Sequence, residues 1–149
     1  RLKAILKDSM HELADIKHEI EVHGNAVQAD PPARVTRQSD RATIAMNGAT
    51  HLHFPIASPT IVNGQRLKAG KIFIRFKTYP GSRISFIKVY DGSTRLYGEE
   101  ANETSPNDIH INREFEVDKT VEWGINVTVG VEGSGNAQID IVGVGVVFY

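Results

Sequence analysis

The chain has 149 residues, with 17 basic and 18 acidic side chains and no cysteine. Charges of both signs are interspersed, so there is no basic patch to draw nucleic acid or an anionic membrane, and the missing thiols exclude a disulfide framework, a thiolate metal site and a cysteine nucleophile. The longest apolar run, residues 142–149, is interrupted by two glycines and falls well short of the ~20 residues that insertion as a membrane helix requires.

Residues 2–20 carry a seven-residue beat. Leu6, Leu13 and Ile20 share one heptad position, Leu2, Ser9 and Ile16 the other, and Ile5 and Met10 widen the stripe, while Lys7, His11, Asp15, His18 and Glu19 lie outside it. The spacing predicts an amphipathic α-helix over residues 1–23 that stops near Val22, followed by a linker over 24–32 in which Gly24, Asn25 and Pro31-Pro32 prevent continuation. A helix of this length is marginal alone in water, so its stripe needs a cover. Leu2, Ile5, Leu6, Met10, Leu13, Ile16 and Ile20 are therefore expected to form the interface of a homo-oligomeric coiled coil, the broad stripe leaning toward a trimer; the alternative is packing on the chain's own body. No signal peptide is recognisable, and the opening on Arg1 leaves both an upstream segment and the compartment, cytoplasm or export, open.

Residues 33–149 read as short extended segments: 34–38, 41–46, 51–56, 60–62, 71–79, 84–90, 94–97, 109–117, 120–131 and 137–149. They are punctuated by Asn47-Gly48, Asn63-Gly64, Pro80-Gly81, Asp91-Gly92 and the glycine-rich stretch from Gly133 to Asn136. Turn signals at this spacing without βαβ alternation predict an all-β domain, an antiparallel β-sandwich of jelly-roll-like architecture carrying the N-terminal helix. Within 121–131 Val121, Trp123, Ile125, Val127, Val129 and Val131 occupy every second position, which assigns Trp123 to the core with its β-branched neighbours. Residues 119–131 and 137–149 are expected to form a long hairpin through Gly133–Asn136, with the final strand central in its sheet. Gly143 and Gly145 would mark a close approach or a bend.

His23-Gly24-Asn25-Ala26-Val27, the run from His53-Phe54-Pro55-Ile56 to Ile61-Val62, Val89-Tyr90-Asp91-Gly92 and Trp123-Gly124-Ile125-Asn126-Val127 occur in an order and spacing that resemble a family of small bacterial proteins of unknown function. The resemblance covers roughly residues 23–149 and implies a bacterial source. Its motifs are turn and packing motifs, so it carries no activity. The chain departs from the family's pattern in the heptad segment and in a short polar stretch over 98–107.

Chemical signatures are sparse. No G-x-S-x-G element is present, so catalytic residues are expected to be none. His51 and His53, two apart on a strand, share a face, but a third metal ligand such as Asp91 or His110 would have to arrive from a distant strand; neither metal nor cofactor is expected. Glu99, Glu100, Glu103 and Asp108 match no calcium loop and read as a solvated loop. Sugar-binding sandwiches use exposed aromatics beside polar groups, which makes His51, His53, Tyr90, Asp91, Arg95 and Tyr97 the ligand-binding candidates. The reading is a noncatalytic β-sandwich recognition or structural module gathered by its coiled coil, with a protein or glycan partner. A carbohydrate-binding lectin-like module is the alternative, and a metal-dependent cupin-like enzyme ranks third.

Overall fold

The computed structural model describes residues 18–59, 61–106 and 112–149. Strands run His18–His23 (β1), Gln28–Ala29 (β2), Arg34–Arg37 (β3), Ala42–Ile56 (β4), Ile61–Val62 (β5), Gln65–Arg66 (β6), Lys68–Thr78 (β7), Ser82–Asp91 (β8), Thr94–Glu103 (β9), Asn112–Thr120 (β10) and Ile125–Phe148 (β11). Among the described residues the helical content is one 3-10 turn, Gly24–Ala26. Every strand pairing is antiparallel, and β5 and β6 form a separate small hairpin at Asn63-Gly64.

β4 and β11 organise everything else. They pair with each other along their length, Ile125 to Gly133 opposite Ile56 to Gly48 and Ala137 to Ile141 opposite Met46 to Ala42. Between these stretches the register breaks. Ser134, Gly135 and Asn136 are the extra residues, Gly135 and Asn136 have φ of 66° and 61°, and Gly48 across from them has φ of 108°. Positive φ at these places makes a corner rather than a reversal. On one side of the corner the order is β9-β8-β11-β4-β2, and on the other β10-β7-β11 continues to β4 and β3 at residues 137–141 and to β1 at 143–148. Both halves turn alternate side chains into one buried cluster: Leu52, Phe54, Ile87, Val127 and Val129 from the first, Ile44, Ile72, Ile74, Ile139, Val144 and Val146 from the second. β11 has a partner on each side for most of its length, which bears out a central final strand.

Four expectations are corrected. The long hairpin at Gly133–Asn136 does not exist, because one bent strand passes through the corner there, and Asn47-Gly48 likewise lies inside β4. His18–His23 are not the last turns of a helix. They pair with Phe148 to Gly143, and Ile20, expected at an oligomer interface, packs with Val22 against the core beside Val146 and Val144. The sheet's open edge supplies backbone partners and apolar cover that a solvated helix end lacks. Leu2, Ile5, Leu6, Met10, Leu13 and Ile16 lie outside the described residues. The expected linker 24–32 belongs to the body, since Val27 is buried and β2 pairs with His53 and Leu52. The acidic stretch after Gly98 is not a loop at its start, because β9 extends to Glu103.

Candidate functional site

The half-sheet β9-β8-β11-β4-β2 has an inner face sealed in the core and an outer face whose rungs follow from the register. One rung aligns Gln28, His53, Thr128, Lys88 and Gly98; the next aligns Pro55, Asn126, Tyr90 and Arg95; on the other side His51, Gly130, Phe86 and Glu100 stand in line. β-branched residues on the inner positions hold the strands flat against the core, so polar and aromatic groups are displayed on a rigid scaffold.

Its centre is a hydrogen-bonded chain. Asp30 Oδ1 lies 3.1 Å from His53 Nε2, His53 Nδ1 lies 3.2 Å from Thr128 Oγ1, and Asn126 Nδ2 donates to Thr128 Oγ1 at 3.1 Å. The carboxylate only accepts, so in the neutral imidazole the hydrogen sits on Nε2 and the Thr128 hydroxyl donates to Nδ1. Asp30 is itself anchored: its N–H donates to the His51 carbonyl at 3.0 Å, and its carbonyl accepts from the Thr50 hydroxyl at 3.0 Å. His51 Nδ1 lies 3.5 Å from the other oxygen of Asp30, and its ring meets Phe86 edge-on at 5.0 Å between centroids. Phe86 lies over Gly130, where a Cβ would come within 2.2 Å of the ring, and the Lys88 ammonium sits 4.8 Å from the ring centroid on its face. Glu132 and Arg83 pair at the corner end of this face.

Trp123 lies where the β8–β9 turn meets the segment leading into β11, and it is 75 % exposed. The expected alternation breaks here: β10 ends at Thr120, Val121 is buried, Glu122 and Trp123 form a bend, and β11 starts only at Ile125. The bend is held by Asp91, whose carboxylate accepts the backbone N–H groups of Glu122, Trp123 and Gly124 at 2.7, 2.7 and 2.9 Å. Burial pushes the Asp91 carboxyl up, but the three backbone donors and the nearby charge of Arg66 outweigh it and hold the group below its ordinary value. Gly92 lies against the Trp123 side chain, a Cβ there meeting its Cβ at 3.2 Å and the indole at 3.3 Å. Trp123 is thus an apolar plate on a braced backbone, and its assignment to the core is corrected.

Of the residues singled out from sequence, His51, His53, Tyr90 and Arg95 come together on the outer face. Asp91 is 3 % exposed and serves the backbone. Tyr97 pairs with Val89 and packs at the margin of the core, where burial and then Glu99 raise its hydroxyl's pKa. Asp30, Phe86, Lys88, Asn126, Thr128 and Trp123 were not singled out as ligand-binding residues. The available signal was the parity of Asn126 and Thr128 against the apolar positions of β11 and a glycine on each side of the Trp123 bend, Gly92 and Gly124. Among the described residues no group of three His, Asp or Glu side chains is arranged to hold a metal ion, and His110 lies outside them.

Residues 16–149 match a family of unknown function, DUF6623. None of the curated proteins matches the sequence. Among solved structures, the xylan-binding module CBM15 superposes with a TM-score of 0.57 at 18 % identity, over 89 % of this chain and 97 % of that one. The C-terminal CBM6 of LamC from Zobellia galactanivorans gives 0.55 at 12 % identity, over 87 % and 98 %. The Agl-KA catalytic domain gives 0.49 at 11 % identity over 86 % of this chain, which spans only 27 % of that structure's length. These likenesses concern the fold. No helix among the described residues is long and apolar enough to cross a membrane.

Proposed function

We propose that this chain, which belongs to the DUF6623 family, is a noncatalytic carbohydrate-binding β-sandwich of jelly-roll type. The observation that carries the reading is Trp123, an indole 75 % exposed on a backbone fixed by three hydrogen bonds to one carboxylate. An exposed indole gains nothing for folding, whereas a flat, immobile ring suits the apolar face of a pyranose. The outer face of the half-sheet that Trp123 leads into carries a row of polar groups of the kind sugar hydroxyls need. Asn126 keeps its amide carbonyl and a second N–H for a ligand, Thr128 and His53, engaged with each other and with Asp30, hold that amide in place, and Tyr90 stands between Asn126 and Arg95. The fold shared with the xylan-binding module and the CBM6 of LamC supports the same reading. Its noncatalytic character is supported by the carboxylates of this face: Asp30 is engaged with histidines and Glu132 with Arg83, so among the described residues Glu100 has no second unengaged carboxylate beside it to act as acid and base across a glycosidic bond.

The test is affinity electrophoresis of the full chain through gels containing a panel of soluble plant, algal and microbial polysaccharides, followed by fluorescence titration. The chain has one tryptophan, so emission reports Trp123 alone. Binding is expected to retard the protein and shield the indole from acrylamide, and Trp123→Ala is expected to weaken binding at least about tenfold with an unchanged unfolding midpoint. A panel without a single retarding polysaccharide, or a Trp123→Ala variant that binds as the parent does, overturns the reading.

A further inference from the structure

We infer that the glycan bound on this face carries anionic groups, carboxylate or sulfate, received by Lys88 and Arg95; the inference rests on the carbohydrate reading above. Lys88 pairs in register with Gly98, so their side-chain positions face each other on the outer surface. Gly98 has no side chain, and Arg95 fills that space: its Cδ, Nη1 and Cζ lie 3.2, 3.3 and 3.4 Å from where a Cβ would stand. The guanidinium therefore lies across from the Lys88 strand position while the Lys88 ammonium turns onto the Phe86 ring, so two cations stand on one face.

Among the described residues neither cation is held in an ion pair. The ion pairs among the described residues join Arg41 to Asp40 and Asp140, Asp30 to His51 and His53, Lys71 to Glu114 and Glu116, Arg75 to Glu21 and Arg83 to Glu132, and none of these reaches Lys88 or Arg95. Of the acids on the same face, Asp30 is held between His51 and His53, Glu132 faces Arg83, and Glu100, across from Phe86, makes no ion pair with the Lys88 ammonium that rests on that ring. The Lys88 stem leans onto Phe86, so the ammonium borders the polar row from one side and the guanidinium from the other, with Tyr90 on the adjoining rung. A planar guanidinium takes a carboxylate or sulfate with two hydrogen bonds, and an ammonium serves as a point charge beside it.

Two matched pairs of probes test this: polygalacturonate against its methyl ester, and dextran sulfate against dextran, each titrated with the full chain at low and physiological salt. The charged member of at least one pair is expected to bind about tenfold or more tightly than its neutral counterpart, with affinity falling as salt rises. Lys88→Gln and Arg95→Gln, both surface changes, are each expected to weaken that binding about three- to fivefold, as loss of one exposed charge contact does. The pair that discriminates identifies carboxylate or sulfate as the group. Equal binding of the neutral members, or variants that bind the charged polymer as the parent does, overturns the anionic inference and leaves the carbohydrate reading standing. If no polysaccharide, charged or neutral, is bound, both fall.

Discussion

Asp91 Oδ1 accepts the backbone N–H of Trp123 at 2.7 Å, so a buried carboxylate on one strand sets the position of an exposed indole 32 residues further along the chain. The same carboxylate accepts from Glu122 and Gly124, which makes it the brace of the whole bend. Asp91→Asn keeps one acceptor and brings an N–H₂ group against backbone donors. It is expected to cost about 2 kcal/mol in urea unfolding at pH 7. Because the folded-state pKa of Asp91 lies below its unfolded value, its contribution is fully present above about pH 4 and is lost as pH falls through the folded value. The gap between parent and variant should therefore narrow in acid; a gap independent of pH contradicts the assignment.

Tyr79 donates to Asp140 at 2.8 Å on the outer face of the second half-sheet, where Thr43 also donates to Asp140 at 2.7 Å and Arg41 at 3.3 Å. This 2 % exposed carboxylate floors an open polar depression of about 360 Å³. The hydrogen bond to Asp140, with burial second, raises the Tyr79 pKa. A raised folded value stabilises the molecule fully below about pH 10 and progressively less as pH rises through it. Tyr79→Phe is expected to cost about 1 kcal/mol at pH 7 and to lose less stability than the parent between neutral and strongly alkaline solution, as read by thermal unfolding.

Gly130 and Phe86 form a matched pair, one supplying the hollow that the other fills. Gly130→Ala is expected to destabilise by about 1–3 kcal/mol through overpacking, and by clearly less in a Phe86→Ala background, where the clash is gone. Additive effects in a double-mutant cycle would mean that the cost is borne by the backbone instead.

The heptad pattern of Leu2, Leu6, Ser9, Leu13 and Ile16 keeps its expectation of self-association, now for a stripe that ends before β1. Leu6→Asp with Leu13→Asp is expected to convert an oligomer to a monomer by light scattering while the β signal in circular dichroism persists. An unchanged mass, whether oligomeric or monomeric, removes the coiled coil. A truncation at Asn25 does not test the same point, because it deletes β1 and exposes Val144 and Val146.

Much of the sheet was readable because alternation and burial coincide: Ile125, Val127, Val129 and Val131 point inward, as their parity requires. His51 and His53 share a face for the same reason. The corners were not readable, because Asn47-Gly48 and Gly133–Asn136 have the composition of hairpin turns and positive φ serves both; only the pairing of β4 with β11 decides between them. Residues 18–23 satisfy two patterns at once. Ile20 continues the heptad of Leu6 and Leu13, while Ile20 and Val22 also alternate with Glu19 and Glu21, and the open backbone of β11 favours the strand. Trp123 kept the parity of a strand that had already broken, and the cause lies in Asp91, a residue too distant in sequence to reveal the brace.

The passage of β11 through both halves of the sheet has a consequence for synthesis. β7, β8 and most of β4 can be made and remain without their central neighbour until Ile125–Phe148 emerge, since β11 is the strand that joins each of them. Local hairpins such as β8–β9 can close early, but neither half can assemble around its own core during translation. Folding is therefore expected to wait for β11 and then proceed in one cooperative step, and a ribosome-bound chain halted before Ile125 should be sensitive to protease throughout.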